Sequence, residues 1–393
     1  MLDDGDTVTE VTHRSWFGRL GSAIKGIVVG TVLVIAAVVL LSWNEGRAVD
    51  RSRALASGAA AVVPAAVDRV DPANEGRLLH VSGTATTTDR LTDPTFGIAV
   101  TALRLVRTVE MYQWREETSS ETREKLGGGT ETVTTYRYSR GWDSRLADSS
   151  RFKQPEGHRN PSAMPLTSQS WQAGHVTLGA FRLSEDLVSR IDRSRPLALA
   201  DHAASLPAAV VGRPVGRHGE ELYLGQDPAA PQVGDLRVRF AVVEPTAVSV
   251  VSQQYGDGFV PFATPTGEVE LLEEGIVPAD AMFRTAEQEN TLLTWILRLV
   301  GFVVMTIGLR AALSILAVAA SVIPLLGQVV GAGLSLIAGT LALALSLVVI
   351  ALAWIAQRPV LGIGLLVAGA AVTVALVVLR RRAAASPAGT VRS

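Results

Sequence analysis

The sequence predicts an integral membrane α-helical protein of four spans, with a large β-rich (α+β) exoplasmic domain inserted between spans 1 and 2. Three observations predict it. Residues 24–43 form an apolar run near the start of the chain. Residues 44–290 carry most of the charge and show strand-like alternation. Beyond that the chain turns apolar again, with no charged residue anywhere in 311–357. The bulk composition, 48% hydrophobic yet 19% charged, fits such a division.

A membrane-crossing helix needs about 20 consecutive apolar residues, and residues 24–43 supply them. A secretory signal has a shorter apolar core followed by a small-residue cleavage site. This run instead ends in Trp43, Asn44 and Glu45, so it reads as an uncleaved anchor with Trp43 at the interface. Residues 1–23 then form a cytoplasmic N-terminal segment. Residues 291–310 are the second span, 334–356 the third and 360–379 the fourth, followed by a basic tail, 380–393. Arg14, Arg19 and Lys25 flank the first span, and Arg380, Arg381 and Arg382 follow the last. Positive flanks favour the cytoplasm, which puts both termini there and makes the protein multi-pass in the cell membrane. An even number of crossings leaves 311–333, broken by Pro324 and Gly327, as a re-entrant or interfacial helical segment.

The loop domain is built from alternation. Residues 45–61 are rich in Ala and Arg and extend the first helix outward, with Gly58 and Pro64 near its end. Leu236, Val238, Phe240 and Val242 alternate with Arg237, Arg239 and Ala241, the period-2 pattern of a strand. Residues 78–85, 176–183, 248–254 and 269–272 are further strands, and 109–115 with 132–140 form a hairpin. The polar stretch 116–131, containing Gly127, Gly128 and Gly129, reads as its long connection, and 154–165 as an ordered loop. Ser184 caps a short helix that opens with Glu185 and Asp186.

Few kinds of chemistry are available. Cysteine is absent, which excludes disulfides, thiolate nucleophiles and cysteine metal sites. The six histidines show no metal-ligand spacing, and no HExxH, P-loop or nucleophile-elbow motif occurs. No catalytic, metal or cofactor residue is therefore assigned. A net charge of −1 gives no reason to expect a nucleic-acid partner. In VEMYQWREE, Glu110, Glu116 and Glu117 accompany Tyr112 and Trp114, which would suit acid–base work against a stacked sugar. The simpler reading is one strand with Glu110, Tyr112 and Trp114 on a single face. Gly26 and Gly30 form a GxxxG pair, suited to close packing of helices within or between chains. Arg298 is the intramembrane charge, either lining a path or snorkelling to the headgroups.

Six motifs add a family resemblance: SWNEGRAV, NEGRLLHVSG, VEMYQW, GHRNPSAMP, VGDLRVRF and WILRLVGF. With the layout above, they make the chain similar to the transmembrane protein 43 family, also called LUMA, over residues 15–359. The lysine-poor, Ala/Val/Gly-rich composition resembles that of a GC-rich bacterium. The resemblance implies four spans and a large lumenal domain. Animal members sit in the endoplasmic reticulum and inner nuclear membrane, associate with emerin and lamins, and are regarded as membrane organisers. It supplies no catalytic residues. Two polar groups in these motifs are candidate interfaces: Asn44, Glu45 and Arg47 beside the first span, and His158, Arg159 and Asn160 before Pro161. The expected function is a non-enzymatic multi-pass protein that organises membrane or scaffolds a complex through its β-rich domain. Its partners would be membrane lipids and a protein partner or further copies of itself. The alternatives are lipid or ion transport by the C-terminal helix cluster, and a surface enzyme using Glu110 and Trp114.

Overall fold

The computed structural model describes residues 6–125, 127–320 and 324–357. It divides into a β unit (up to Arg14, with Ala54–Arg123 and Thr130–Glu287) and a helical unit (Ser15–Arg53, Glu124–Gly129 and Gln288 onward).

Seven strands of the β unit matter below: β1 (Thr7–Arg14), β2 (Leu78–Thr87), β3 (Arg104–Glu124), β4 (Thr130–Asp143), β5 (Glu221–Leu224), β6 (Leu236–Val243) and β7 (Thr246–Tyr255). One sheet runs in the order β1, β4, β3, β6, β5 and continues through Arg213–His218. β6 opposes β3 antiparallel from Leu236↔Met111 to Val243↔Arg104. A second sheet is centred on the antiparallel β2–β7 pair, Leu78↔Gln253 to Ala85↔Thr246. The alternation read in β6 is real, because Leu236, Val238, Phe240 and Val242 are all buried. They join Phe96, Leu105, Met111, Phe181, Val81 and Val250 in one apolar core drawn from both sheets. The short helix α2 (Glu185–Ser189) begins as its sequence indicates, with the Ser184 hydroxyl accepting from the Leu187 amide at 3.3 Å.

Two parts of the first sheet depart from the sequence reading. The polar stretch 116–131 is mostly ladder, since β3 continues to Glu124 and β4 starts at Thr130. It lacks an apolar face, so no period-2 hydrophobic signal marks it. What holds it is the strand preference of threonine and cross-strand hydroxyl pairs. Ser120 and Thr134 lie 3.1 Å apart, and Thr122 and Thr132 2.9 Å apart. The second departure is β1, which falls in the segment read as cytoplasmic. Five of the eight residues of TVTEVTHR are β-branched, and the segment pairs antiparallel with β4 from Thr7↔Arg137 to Arg14↔Thr130.

The helical unit contains residues Ser15–Arg53 of α1 (Trp16–Ala61), the body of α3 (Ala279–Ala320) and α4 (Pro324–Gln357). α1 is one unbroken helix of 46 residues, so the apolar anchor and its Ala/Arg-rich extension are continuous. It stops at Ala61, three residues before Pro64, as the restriction on residues preceding proline favours. Residues 311–320, read as the start of a re-entrant segment, are the last turns of α3, and Pro324 opens α4. Three helical stretches are long and apolar enough to cross a membrane: Trp16–Ala61, Ala279–Ala320 and Gly333–Ala356. The fourth expected span, 360–379, and the basic tail lie outside the described residues.

The β1–β4 ladder sets a condition on topology. Polar strands with open edges do not lie in hydrocarbon, so paired strands share one aqueous compartment. Thr9 on β1 and Ser119 on β3 belong to the same sheet. In this cysteine-free chain, Thr9→Cys and Ser119→Cys are expected to react alike with an impermeant maleimide, both on intact cells or both only after lysis. Labelling of one without the other would mean that β1 leaves β4 when α1 crosses the bilayer.

Candidate functional site

The densest polar cluster of the helical unit sits where the apolar part of α1 ends. Asn44, Glu45, Arg47 and Ala48 occupy one turn of α1, so several of them face the same neighbour. Asn290, Thr294 and Arg298 recur every four residues along α3 and form one stripe. The two sets interlock. Arg298 donates from Nε and Nη2 to the two carboxylate oxygens of Glu45, at 2.7 and 2.8 Å. This fork-to-carboxylate geometry is the strongest arrangement an ion pair adopts. Arg47 donates to Asn290 Oδ1 at 3.1 Å and to Thr294 Oγ1 at 3.0 Å. Asn44 Nδ2 donates to the Thr294 carbonyl at 3.1 Å, and Asn290 Nδ2 to the Ala48 carbonyl at 3.0 Å. Glu45 is 1% exposed and Asn44 fully buried, so water contributes little to holding either.

The clamp closes one end of a membrane-length helix pair. Below it Leu41 packs over Gly301, and Ala37, Leu41 and Met305 share a core with Ala342 of α4. Further along, a Cβ at Gly30 would collide with the Gly308 carbonyl and the Ala312 amide, and one at Gly26 would press on Ala311. The GxxxG pair is therefore spent on α1–α3 packing within the chain, where the missing side chains let the backbones meet. At the far end Trp16 Nε1 donates to the Val318 carbonyl at 2.9 Å. Trp16 and Glu45 are 29 residues apart, about 44 Å of helix, close to the full thickness of a bilayer with its headgroups. Trp43 and Trp295, both more than half exposed, lie beside the clamp as interfacial aromatics do. Arg298 also lies over the Trp295 ring, 4.8 Å from its centre.

The second candidate group belongs to the β unit. His158 is buried, stacked 3.9 Å from Tyr138 and edge-on to Trp114. Its ring nitrogens meet the Gln154 carbonyl at 2.9 Å and Asp6 at 2.8 Å. Asn160 acts as a false peptide unit, accepting from the Trp114 amide at 2.8 Å and donating to its carbonyl at 3.0 Å. Arg159 is exposed. The loop braces β3, and of its three candidates only Arg159 faces outward. Glu110, Tyr112 and Trp114 share the less buried face of β3, while Met111 and Gln113 are buried. Glu110 is paired with Arg237 at 2.6 Å and with Arg239. Burial pushes its carboxyl pKa up, but the Arg237 hydrogen bond and the charges of both arginines outweigh this and leave it lowered. Arg140 covers the Trp114 ring at 5.0 Å, and Arg237 covers Trp142 at 4.9 Å. A general acid needs a raised carboxyl pKa, and a sugar platform needs a free ring face; this cluster offers the opposite of each. Among the described residues, no group of three or more His, Asp and Glu side chains could hold a metal ion.

The family model for transmembrane protein 43 matches residues 111–359. Transmembrane protein 43 of Rattus norvegicus is 35% identical over 365 residues, covering 90% of this chain and 89% of its own length. The chain belongs to the transmembrane protein 43 family. The Homo sapiens protein is 35% identical over 376 residues, 92% of each chain. The Drosophila melanogaster homolog is 33% identical over 354 residues, 87% of this chain and 91% of its own. No solved structure matches the chain. The motifs SWNEGRAV and WILRLVGF, which carry the family resemblance, contain Glu45 and Arg298. Sequence reasoning singled out both residues but did not join them, and it missed Asn290 and Thr294. The four-residue spacing from Asn290 to Arg298 was the available signal.

Removing one partner of a buried ion pair strands the other and costs about 3–5 kcal/mol, whereas replacing both with apolar residues is often neutral. Glu45→Leu and Arg298→Leu should each lower the thermal midpoint of the bilayer-embedded protein, and the double variant should recover most of the loss. Additive losses in the double variant would contradict a coupled pair.

Proposed function

We propose that this family member is a non-enzymatic membrane scaffold. In this reading α1 and α3 form a braced anchor in the cell membrane, and the β domain engages a protein partner or further copies of the chain. The observation that carries the reading is the Glu45–Arg298 pair, flanked by Asn44, Arg47, Asn290 and Thr294. The principal hydrogen-bonding groups of this cluster are turned toward one another, which suits a fixed joint. The transport alternative needs Arg298 free to meet an ion or a headgroup; here its guanidinium is committed to a carboxylate at 2.7 Å. Only 17% of each membrane-length window is buried, so most of the span surface is open to lipid or to neighbouring helices. That supports lipids as partners and suits a protein that works in an assembly. The charge flanks favour a cytoplasmic C-terminal tail and an exoplasmic β domain. They also favour a cytoplasmic N terminus, while the β1–β4 ladder favours an N-terminal strand in the compartment of the β domain; the paired maleimide labelling distinguishes these.

Native mass spectrometry of the protein extracted with its own surrounding bilayer tests the reading. A defined oligomer, or a second protein at fixed stoichiometry, is expected. A monomer carrying one selected lipid would overturn the scaffold in favour of lipid handling.

A further inference from the structure

The clamp carries one more positive charge than negative. Glu45 is its single carboxylate, and Arg298 holds both of its oxygens. Arg47 is answered only by neutral groups: Asn290 Oδ1 at 3.1 Å, Thr294 Oγ1 at 3.0 Å and Asn44 Oδ1 at 3.4 Å. Among the described residues no carboxylate forms an ion pair with it. Asp50, the next acidic residue along α1, meets Arg53 at 3.9 Å instead. A guanidinium stays protonated at any ordinary pH, so the charge of Arg47 is balanced from outside the clamp. Its hydrogen bonding is incomplete as well. The Nε–H is enclosed and meets no acceptor, and one hydrogen of Nη1 is left over beside the bond to Asn290.

The surroundings indicate the chemistry of the counter-charge. Arg47 is only half-buried, so part of its side chain stays open. One turn earlier on α1 stands Trp43, and Trp295 stands at clamp level on α3, both more than half exposed. Exposed tryptophans settle at headgroup depth, which puts Arg47 among lipid phosphates. From Trp43 an apolar stripe runs back along α1 through Val39, Ile35, Val32 and Val28. These residues follow at helical spacing, and each is more than half exposed. The stripe is a track for an acyl chain that leads to Arg47. A lipid phosphate supplies anionic oxygens for a charge-assisted bond from Nη1. A zwitterionic lipid brings its own cation with that phosphate. A net-anionic lipid brings none, and so cancels the excess charge of the clamp. A free phosphate ion would gain nothing from Trp43 or the stripe.

We infer that Arg47 anchors a binding site for one anionic phospholipid, its phosphate on Arg47 and an acyl chain along the stripe of α1. The inference goes beyond the scaffold reading and shares with it only the placement of α1 and α3 in a membrane. It gives the two arginines of the clamp different tasks. Arg298 neutralises Glu45 inside the helix pair, and Arg47 ties the same joint to the headgroup layer.

The test places the full-length protein in bilayer discs of mixed phosphatidylcholine and phosphatidylglycerol and releases it into native mass spectrometry. Phosphatidylglycerol retained on the protein in preference to phosphatidylcholine is the expected result. Arg47→Gln should lower that preference about fivefold, the worth of a basic side chain at an anionic headgroup layer. Arg47→Lys keeps the charge and should keep most of the preference. The Glu45→Leu, Arg298→Leu double variant removes the neighbouring charges together and should also keep it, because Arg47 remains. Equal retention of the two lipids by the unaltered protein would overturn the site whatever the variants do. Full preference in Arg47→Gln, or its loss in the double variant, would move the site off Arg47 and overturn it too. Displacement of the lipid by inorganic phosphate added before release would make this a free-anion site, contrary to the inference. The oligomeric state is read in the same spectra, so the lipid site and the scaffold can each fail alone.

Discussion

A carboxylate that is 1% exposed at the end of an apolar helix must be answered by a cation, and here the answer comes from 253 residues further along the chain. The Glu45–Arg298 pair is the constraint on which the arrangement of the helical unit depends. Left unpaired, either charge would cost several kcal/mol of desolvation at this site. Paired, they fix which turn of α3 meets which turn of α1. Leu41 over Gly301 and Gly30 against Gly308 and Ala312 then follow in antiparallel order. Glycine contacts are permissive, since small residues allow close approach without choosing a register. The ion pair chooses it, and Asn44, Arg47, Asn290 and Thr294 hold the choice by hydrogen bonds that lipid cannot replace.

The β unit uses the same logic. Arg107, itself nearly buried, donates to the fully buried Asp93 at 2.7 Å and is flanked by Phe96 and Trp171. Asn160 supplies one residue of false strand to β3, and His158 ties that region to Asp6 ahead of β1. In both units the polar residues inside serve to fix position. That common use is what makes a scaffold the natural reading of a family member whose prominent polar motifs turn inward.

How much of this was readable in the sequence depended on whether a periodic signal existed. The apolar run 24–43, the alternation of β6 and the Ser184 cap each report a local rule, and each appears where the residues indicate. The hairpin beyond Arg115 was read as loop because its threonines and glutamates bury no face, leaving hydroxyl pairs that no hydrophobic period reveals. β1 escaped for a similar reason: eight residues with only two valines resemble a polar tail until their partner is known. At the candidate site the residues were visible and the pairing was not. Glu45 read alone marks a helix end, and Arg298 read alone snorkels. Only the fold brings a charge near residue 45 and one near residue 298 within 2.7 Å.

Exchange of the two charges tests the clamp most directly. The variants Glu45→Arg, Arg298→Glu and the pair together would be compared for thermal stability in bilayer discs. Each single exchange sets like charges face to face in a buried site and should destabilise strongly. The double exchange restores opposite charges at the same positions and should recover a large part of the loss. If the double variant were as unstable as the sum of the singles, Glu45 and Arg298 would not be holding α1 to α3, and the account would fail at its centre.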